Sequence, residues 1–215
     1  MPRTAAADEL YRKLNQRPEF QFAKWPEARQ GVPPGGVYFF YEAGEHRPNG
    51  HPRVVRVGTH GAATLNARLR QHFGAAHGGG GHRASIFRSL VGRAFSDCPP
   101  SWSLGRDLGA RAAGIDRQDL SAFENPHECR VSDHLRSLTL RCIEVNLPTD
   151  RAEIEQGAIA LLSNFREAFE APSPTWLGHA YHDRPRVQAS GLWNQNYVAR
   201  PWEPGFLDLI PDLDV

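Results

Sequence analysis

The sequence predicts a mixed α/β (α+β) fold, and three observations carry that reading. Two β-rich runs, Gly36-Val37-Tyr38-Phe39-Phe40 and Val55-Arg56-Val57-Gly58, lie on either side of a polar stretch containing Pro48-Asn49-Gly50. A third β-rich run covers Leu138 to Val145. Between and after these runs, apolar residues recur at helical spacing. At 215 residues the chain is long enough for one domain with extensions and a sizeable core.

The elements follow in order. Residues 8–16 predict a short helix, with Leu10 and Leu14 on one side and Asp8 placed to cap it. Pro18, Pro26, Pro33 and Pro34 then make an irregular lead-in, so 1–30 reads as an N-terminal extension. Val37 to Tyr41 and Val54 to Val57 pair as an antiparallel hairpin with a long loop. Thr64 is placed to cap a helix whose buried stripe is Leu65, Leu69 and Phe73. Gly78 to Gly81 is a flexible joint and not a phosphate loop, because no Gly-Lys-Ser/Thr follows. A further helix runs from Ser85 to Phe95, with Arg83, Arg88 and Arg93 near or off its apolar face. The weakly patterned stretch at about 97–130 reads as an insertion. Asp150 and Glu153 form a capping pair for a helix carrying Ile154, Ala158, Leu161, Leu162 and Phe165. The main domain is expected over 31–198, and the proline-rich, acidic tail at 199–215 is expected to drape over the surface or hang loose.

Composition excludes some classes. The formal net charge of +1 is not the strongly basic balance of a histone-like protein. Lys13 and Lys24 are the only lysines, so the cations are almost all arginine. Arginine grips phosphate bidentately, although a GC-rich genome gives the same bias. Cys98, Cys129 and Cys142 form no Cys-x-x-Cys pair and read as reduced thiols. No apolar run reaches membrane-span length and the N-terminus lacks a secretory core. A cytoplasmic chain without a membrane partner is the expectation.

Several residues could carry chemistry, and each has a plainer alternative. Tyr38 could relay a proton where nearby cations favour its phenolate, or could simply pack in a sheet. Gly58 ends the second strand and lets backbone or ligand come close. Arg68 and His72 are four apart and share a helix face. Such an arginine can bind phosphate, or the pair can be a solvated Arg beside a packed His. Glu155 at the rim of an apolar stripe would be answered by a divalent cation such as Mg²⁺, or it is an exposed helix glutamate. Asn194 offers a fixed amide between aromatic neighbours, or is a turn asparagine. His127, Cys129 and His134 match no common zinc spacing, and His179 and His182 lack a metalloprotease glutamate.

Taken in order, these residues resemble the GIY-YIG nuclease family. Gly36-Val37-Tyr38 stands where its first motif would be, and Arg56-Val57-Gly58 where the second would be. Arg68 and His72 look like its arginine helix, Glu155 like its metal-binding glutamate and Asn194 like its late asparagine. The departure is Arg56, which replaces the second motif's tyrosine; His82 to Phe95 also lies outside the minimal family core. The resemblance implies a small three-stranded antiparallel sheet flanked by helices, and hydrolysis of a DNA phosphodiester with one divalent metal, Mg²⁺ or Mn²⁺. In that scheme Tyr38 accepts the proton of the attacking water and Glu155 holds the metal. Arg68 stabilises the phosphorane-like charge, His72 assists proton relay or phosphate contact, and Asn194 positions the site. Arg56 and Gly58 support it, while Arg83, Arg88 and Arg93 are expected to contact the DNA backbone. Two alternatives stay open: a catalytically impaired nucleic-acid-binding module, and an RNA-directed defence nuclease. The chain would act as a monomer or a homodimer.

Overall fold

The computed structural model describes residues 1–61, 64–181 and 185–213, so His182 lies outside the described residues. Four strands are present among them: β1 (Glu19–Gln21), β2 (Gly36–His46), β3 (Pro52–His60) and β4 (Thr139–Glu144). They form one antiparallel sheet in the order β1-β4-β2-β3. The expected three-stranded sheet is therefore corrected to four strands. The added strand β1 is three residues long and has a single apolar residue, Phe20, opposite Leu140. Nothing that short displays a period.

The helices are α1 (Arg3–Asn15), α2 (Trp25–Ala28), α3 (Leu65–Phe73), α4 (Ile86–Ala94), α5 (Arg106–Ala113), α6 (Leu120–Arg136), α7 (Pro148–Leu162) and α8 (Pro185–Ser190). They cover both faces of the sheet. Alternation along β2 sends Tyr38 and Phe40 to one face, where they meet Leu69 of α3, Phe87 and Leu90 of α4, and Val131 and Leu135 of α6. Val37, Phe39 and Tyr41 go to the other, against Leu10 and Leu14 of α1 and Ile154 and Leu161 of α7. Burial on both faces is why β2 reads as an unbroken apolar run instead of an alternating one. Each such side chain contributes about 1.5–3 kcal/mol on leaving water.

The helix starts differ from the expected caps. α1 begins after Pro2, ahead of Asp8. The Thr64 hydroxyl donates to the Gly61 carbonyl (2.8 Å) and caps no helical N–H. α7 opens on Pro148, whose fixed φ suits a first turn, and not on an Asp150–Glu153 capping box. Its start is fastened by Arg151, which donates to the carbonyls of Val145 (3.0 Å) and Asn146 (2.6 Å). Ser85 does cap α4, its hydroxyl accepting the Arg88 N–H at 3.3 Å. The stretch 97–130 holds α5 and the first part of α6. The C-terminal tail is not loose: Phe206, Leu207 and Ile210 are buried in the second core.

Candidate active site

β3 is one of the sheet's two edge strands, and an edge exposes backbone groups that need partners. Here they are taken one after another. The Val55 carbonyl accepts from the Trp193 N–H at 2.7 Å. The Val57 N–H donates to Asn194 Oδ1 (3.1 Å) and the Val57 carbonyl accepts from Asn194 Nδ2 (2.9 Å). The Thr59 backbone helps to keep the Glu155 carboxylate charged. Asn194 is thus a side chain that mimics a strand neighbour. It is buried, and both ends of its amide bond Val57, so it holds the edge in place.

Tyr38 on β2 lies opposite Gly58 on β3. A Cβ at Gly58 would overlap the phenol oxygen and ring of Tyr38. The glycine therefore makes room for this tyrosine, which is only 1 % exposed. The Tyr38 hydroxyl is bonded to His72 Nε2 at 2.9 Å, and His72 Nδ1 to the Ser85 hydroxyl at 2.7 Å. His72 is fully buried. Burial first, then the charges of Arg68, Arg56 and Arg88 and of His60, hold it well below the usual imidazole range. Each ring nitrogen of the neutral imidazole faces a hydroxyl, one as donor and the other as acceptor.

Arg56 joins the buried network to the surface. Its Nη1 donates to the Trp193 carbonyl, and its guanidinium lies 5.2 Å from the Phe87 ring centroid. Its Nε is buried with no hydrogen-bond partner among the described residues. Burial lowers its pKa, while Tyr38 and Glu155 pull the other way. The Arg56 side chain therefore sits within electrostatic reach of both the tyrosine and the carboxylate. Glu155, half-buried on α7, is raised by burial and held back by Arg56, the Thr59 N–H and Arg68.

Arg56, Glu155 and Asn194 line a cleft of about 160 Å³ together with Ile86, Ile159 and residues 195–197. Arg68, half-buried on α3, donates to Gln71 Oε1 (2.9 Å) and to the Ala84 carbonyl (3.2 Å). It lines an adjoining groove of about 560 Å³ that shares Ile86 with the cleft and also contains Arg93. A larger cavity of about 920 Å³ lies between α1 and the 3₁₀ turn at Pro204–Leu209, lined by residues such as Glu9, Lys13 and Asp208. None of the residues above borders it.

The sheet edge thus brings Arg56, Arg68, Glu155 and Asn194 to neighbouring surfaces, while Tyr38 and His72 lie beneath them. The three arginines expected to meet DNA part company. Arg88 is 0 % exposed and cannot reach DNA. It bridges Glu128 (2.6 Å), Ser132 Oγ (2.9 Å) and the His72 carbonyl (2.8 Å), so that expectation is corrected. Arg83 is engaged with Glu124 through two bonds of 2.6 and 2.9 Å and with the carbonyls of Leu104 and Ser101. Arg93 lies half-buried on the groove wall, 5.5 Å from the Tyr181 ring centroid. The sequence reading missed Ser85 as the second partner of His72. A serine ahead of an apolar run signals the cap, but not the histidine contact, which comes from another helix.

Chemically, two guanidiniums against one carboxylate favour an arriving phosphodiester. Among the described residues no three His, Cys, Asp or Glu side chains are grouped into a ready metal cage. Glu155 is the one carboxylate among the residues lining the cleft. That donor set fits a Mg²⁺-like ion, which takes one carboxylate and completes its shell with water and substrate phosphate. It does not fit a closed structural site.

The family model of the GIY-YIG domain matches residues 1–213. No curated protein and no solved structure matches the chain. The chain belongs to the GIY-YIG domain family, a family of nuclease type.

Proposed function

We propose that this GIY-YIG chain is a divalent-metal-dependent endonuclease that hydrolyses DNA phosphodiester bonds. One observation carries the reading. Arg56, on the motif strand β3, lies within electrostatic reach of Tyr38 on β2, Glu155 on α7 and Arg68 on α3. Arg56 and Glu155 line the cleft, Arg68 lines the adjoining groove, and Tyr38 lies beneath.

In this scheme the scissile phosphate lies between Arg56 and Arg68, whose guanidiniums offset charge growing on its oxygens. Glu155 would hold the divalent ion, which when bound polarises the phosphate and lowers the cost of deprotonating water. Asn194 keeps β3 and the loop after it in register. Tyr38 is the proton acceptor: it takes the proton of the attacking water as its own hydroxyl proton passes to His72 Nε2, the partner of that hydroxyl. Arg56, standing where the family pattern has a tyrosine, offsets charge growing on the substrate. The arginines around the buried His72 favour prompt loss of the proton it receives.

A second reading, a catalytically impaired nucleic-acid-binding module, is favoured by the burial of Tyr38 beneath the cleft. Plasmid DNA incubated with Mg²⁺ or Mn²⁺ decides between them. The expected result is nicking that Glu155→Gln abolishes, with an unchanged melting temperature. Binding without nicking by the unmodified chain supports the second reading. Cleavage of total RNA with plasmid left intact would move the substrate to RNA. Equal nicking by Glu155→Gln would remove Glu155 as the metal ligand.

A further inference from the structure

The segment after Asn194 is built around an unusual residue. Tyr197 has φ of 64°, the only positive value outside glycine among the described residues. An aromatic side chain pays about 1–2 kcal/mol in this region, where glycine pays almost nothing. The turn is held at both ends. Asn194 is bonded to Val57, the Ser163 hydroxyl donates to the Val198 carbonyl at 2.7 Å, and the Arg200 N–H donates to the Tyr197 carbonyl at 2.9 Å. Val198 is buried, yet Tyr197 beside it is 39 % exposed. It borders the same cleft as Arg56 and Glu155. Asn196, also exposed, lines that cleft too.

The chain therefore keeps an aromatic ring, at a backbone cost, next to its candidate reacting groups. Part of the residue nonetheless stays open to solvent. An exposed ring beside a phosphate-binding cleft is suited to stacking on a nucleobase. An amide next to it can hydrogen-bond the base edge. We infer that Tyr197 is a substrate-binding residue that stacks on an unpaired base of the DNA strand next to the scissile phosphate, with Asn196 at the base edge. This inference rests on the nucleic-acid reading above and narrows it to a strand with an unstacked base.

The test uses the full chain carrying Glu155→Gln, so that no cleavage occurs, and a single-stranded DNA oligonucleotide containing 2-aminopurine. Stacking on the ring quenches the probe's fluorescence. The expected result is binding with quenching. Tyr197→Ala should weaken binding about tenfold, the order that one base–aromatic stack supplies, and should abolish the quench. Tyr197→Phe should restore both, since the ring and not the hydroxyl acts. Tyr197→Gly should bind like Tyr197→Ala without lowering the melting temperature, because glycine suits this backbone. A lower melting temperature with Tyr197→Gly, equal binding by Tyr197→Ala, or no rescue by Tyr197→Phe would overturn the inference. So would absence of any quench with the parent. Plasmid nicking that depends on Glu155 but not on Tyr197 would leave the nuclease reading standing while this one fell.

Discussion

Replacing Gly58 by alanine separates two meanings of a glycine at the end of a strand. If Gly58 is there for a ligand, the added methyl should leave the folded protein intact and affect only substrate. The structure makes a different case, because the methyl would overlap the Tyr38 ring and hydroxyl within a buried layer. Tyr38 cannot turn aside easily: its hydroxyl is bonded to His72, and its ring packs edge-on against Phe40 with centroids 5.7 Å apart. Overpacking of this kind costs about 1–3 kcal/mol. At roughly 2–4 °C per kcal/mol for a chain of this size, the melting temperature should fall by several degrees. The assay is thermal and urea unfolding of the wild type, Gly58→Ala, Tyr38→Phe and the double variant. Removing the hydroxyl relieves part of the overlap, so the double variant should be more stable than the sum of the singles implies, with a coupling on the order of 1 kcal/mol. An unchanged melting temperature for Gly58→Ala, or strict additivity, would refute the packing account of this glycine.

Two further outcomes follow from the buried network. Arg88→Met should destabilise by about 3–5 kcal/mol, because it leaves the Glu128 carboxylate buried beside His82 without its guanidinium; calorimetry measures this, and a surface-like loss under about 0.5 kcal/mol would contradict it. His72 is held below its unfolded value of 6.5, so the unfolded chain binds the extra proton first and stability falls as pH drops below about 6.5. His72→Gln should flatten this slope by up to about 1.4 kcal/mol per pH unit between pH 6.5 and 5, read from urea midpoints; parallel pH profiles would show that His72 charges freely in the folded state.

The sequence by itself determined the hairpin, the third long strand and helices α3, α4 and α7. Their signals are local: β-branched and aromatic runs, turn residues and helical spacing act over a few neighbouring positions. It also pointed to the family, since Tyr38, Arg68, His72, Glu155 and Asn194, read in line, resemble its motif order, and the family model matches residues 1–213. Tertiary structure decided what each of these residues touches. Asn194 finds its amide partners on Val57, 137 positions away, and no local pattern encodes that contact. Arg88 looks like an exposed helix cation until α6 brings Glu128 and Ser132 against it. Arg56 looks like a lost tyrosine until β3 sets it within electrostatic reach of Tyr38 and Glu155. Strand β1 exists because β4 offers it a free edge, and its own three residues carry no period to announce it. Burial, charge pairing and edge protection are properties of surfaces that meet, and those surfaces form only when segments distant in the chain come together.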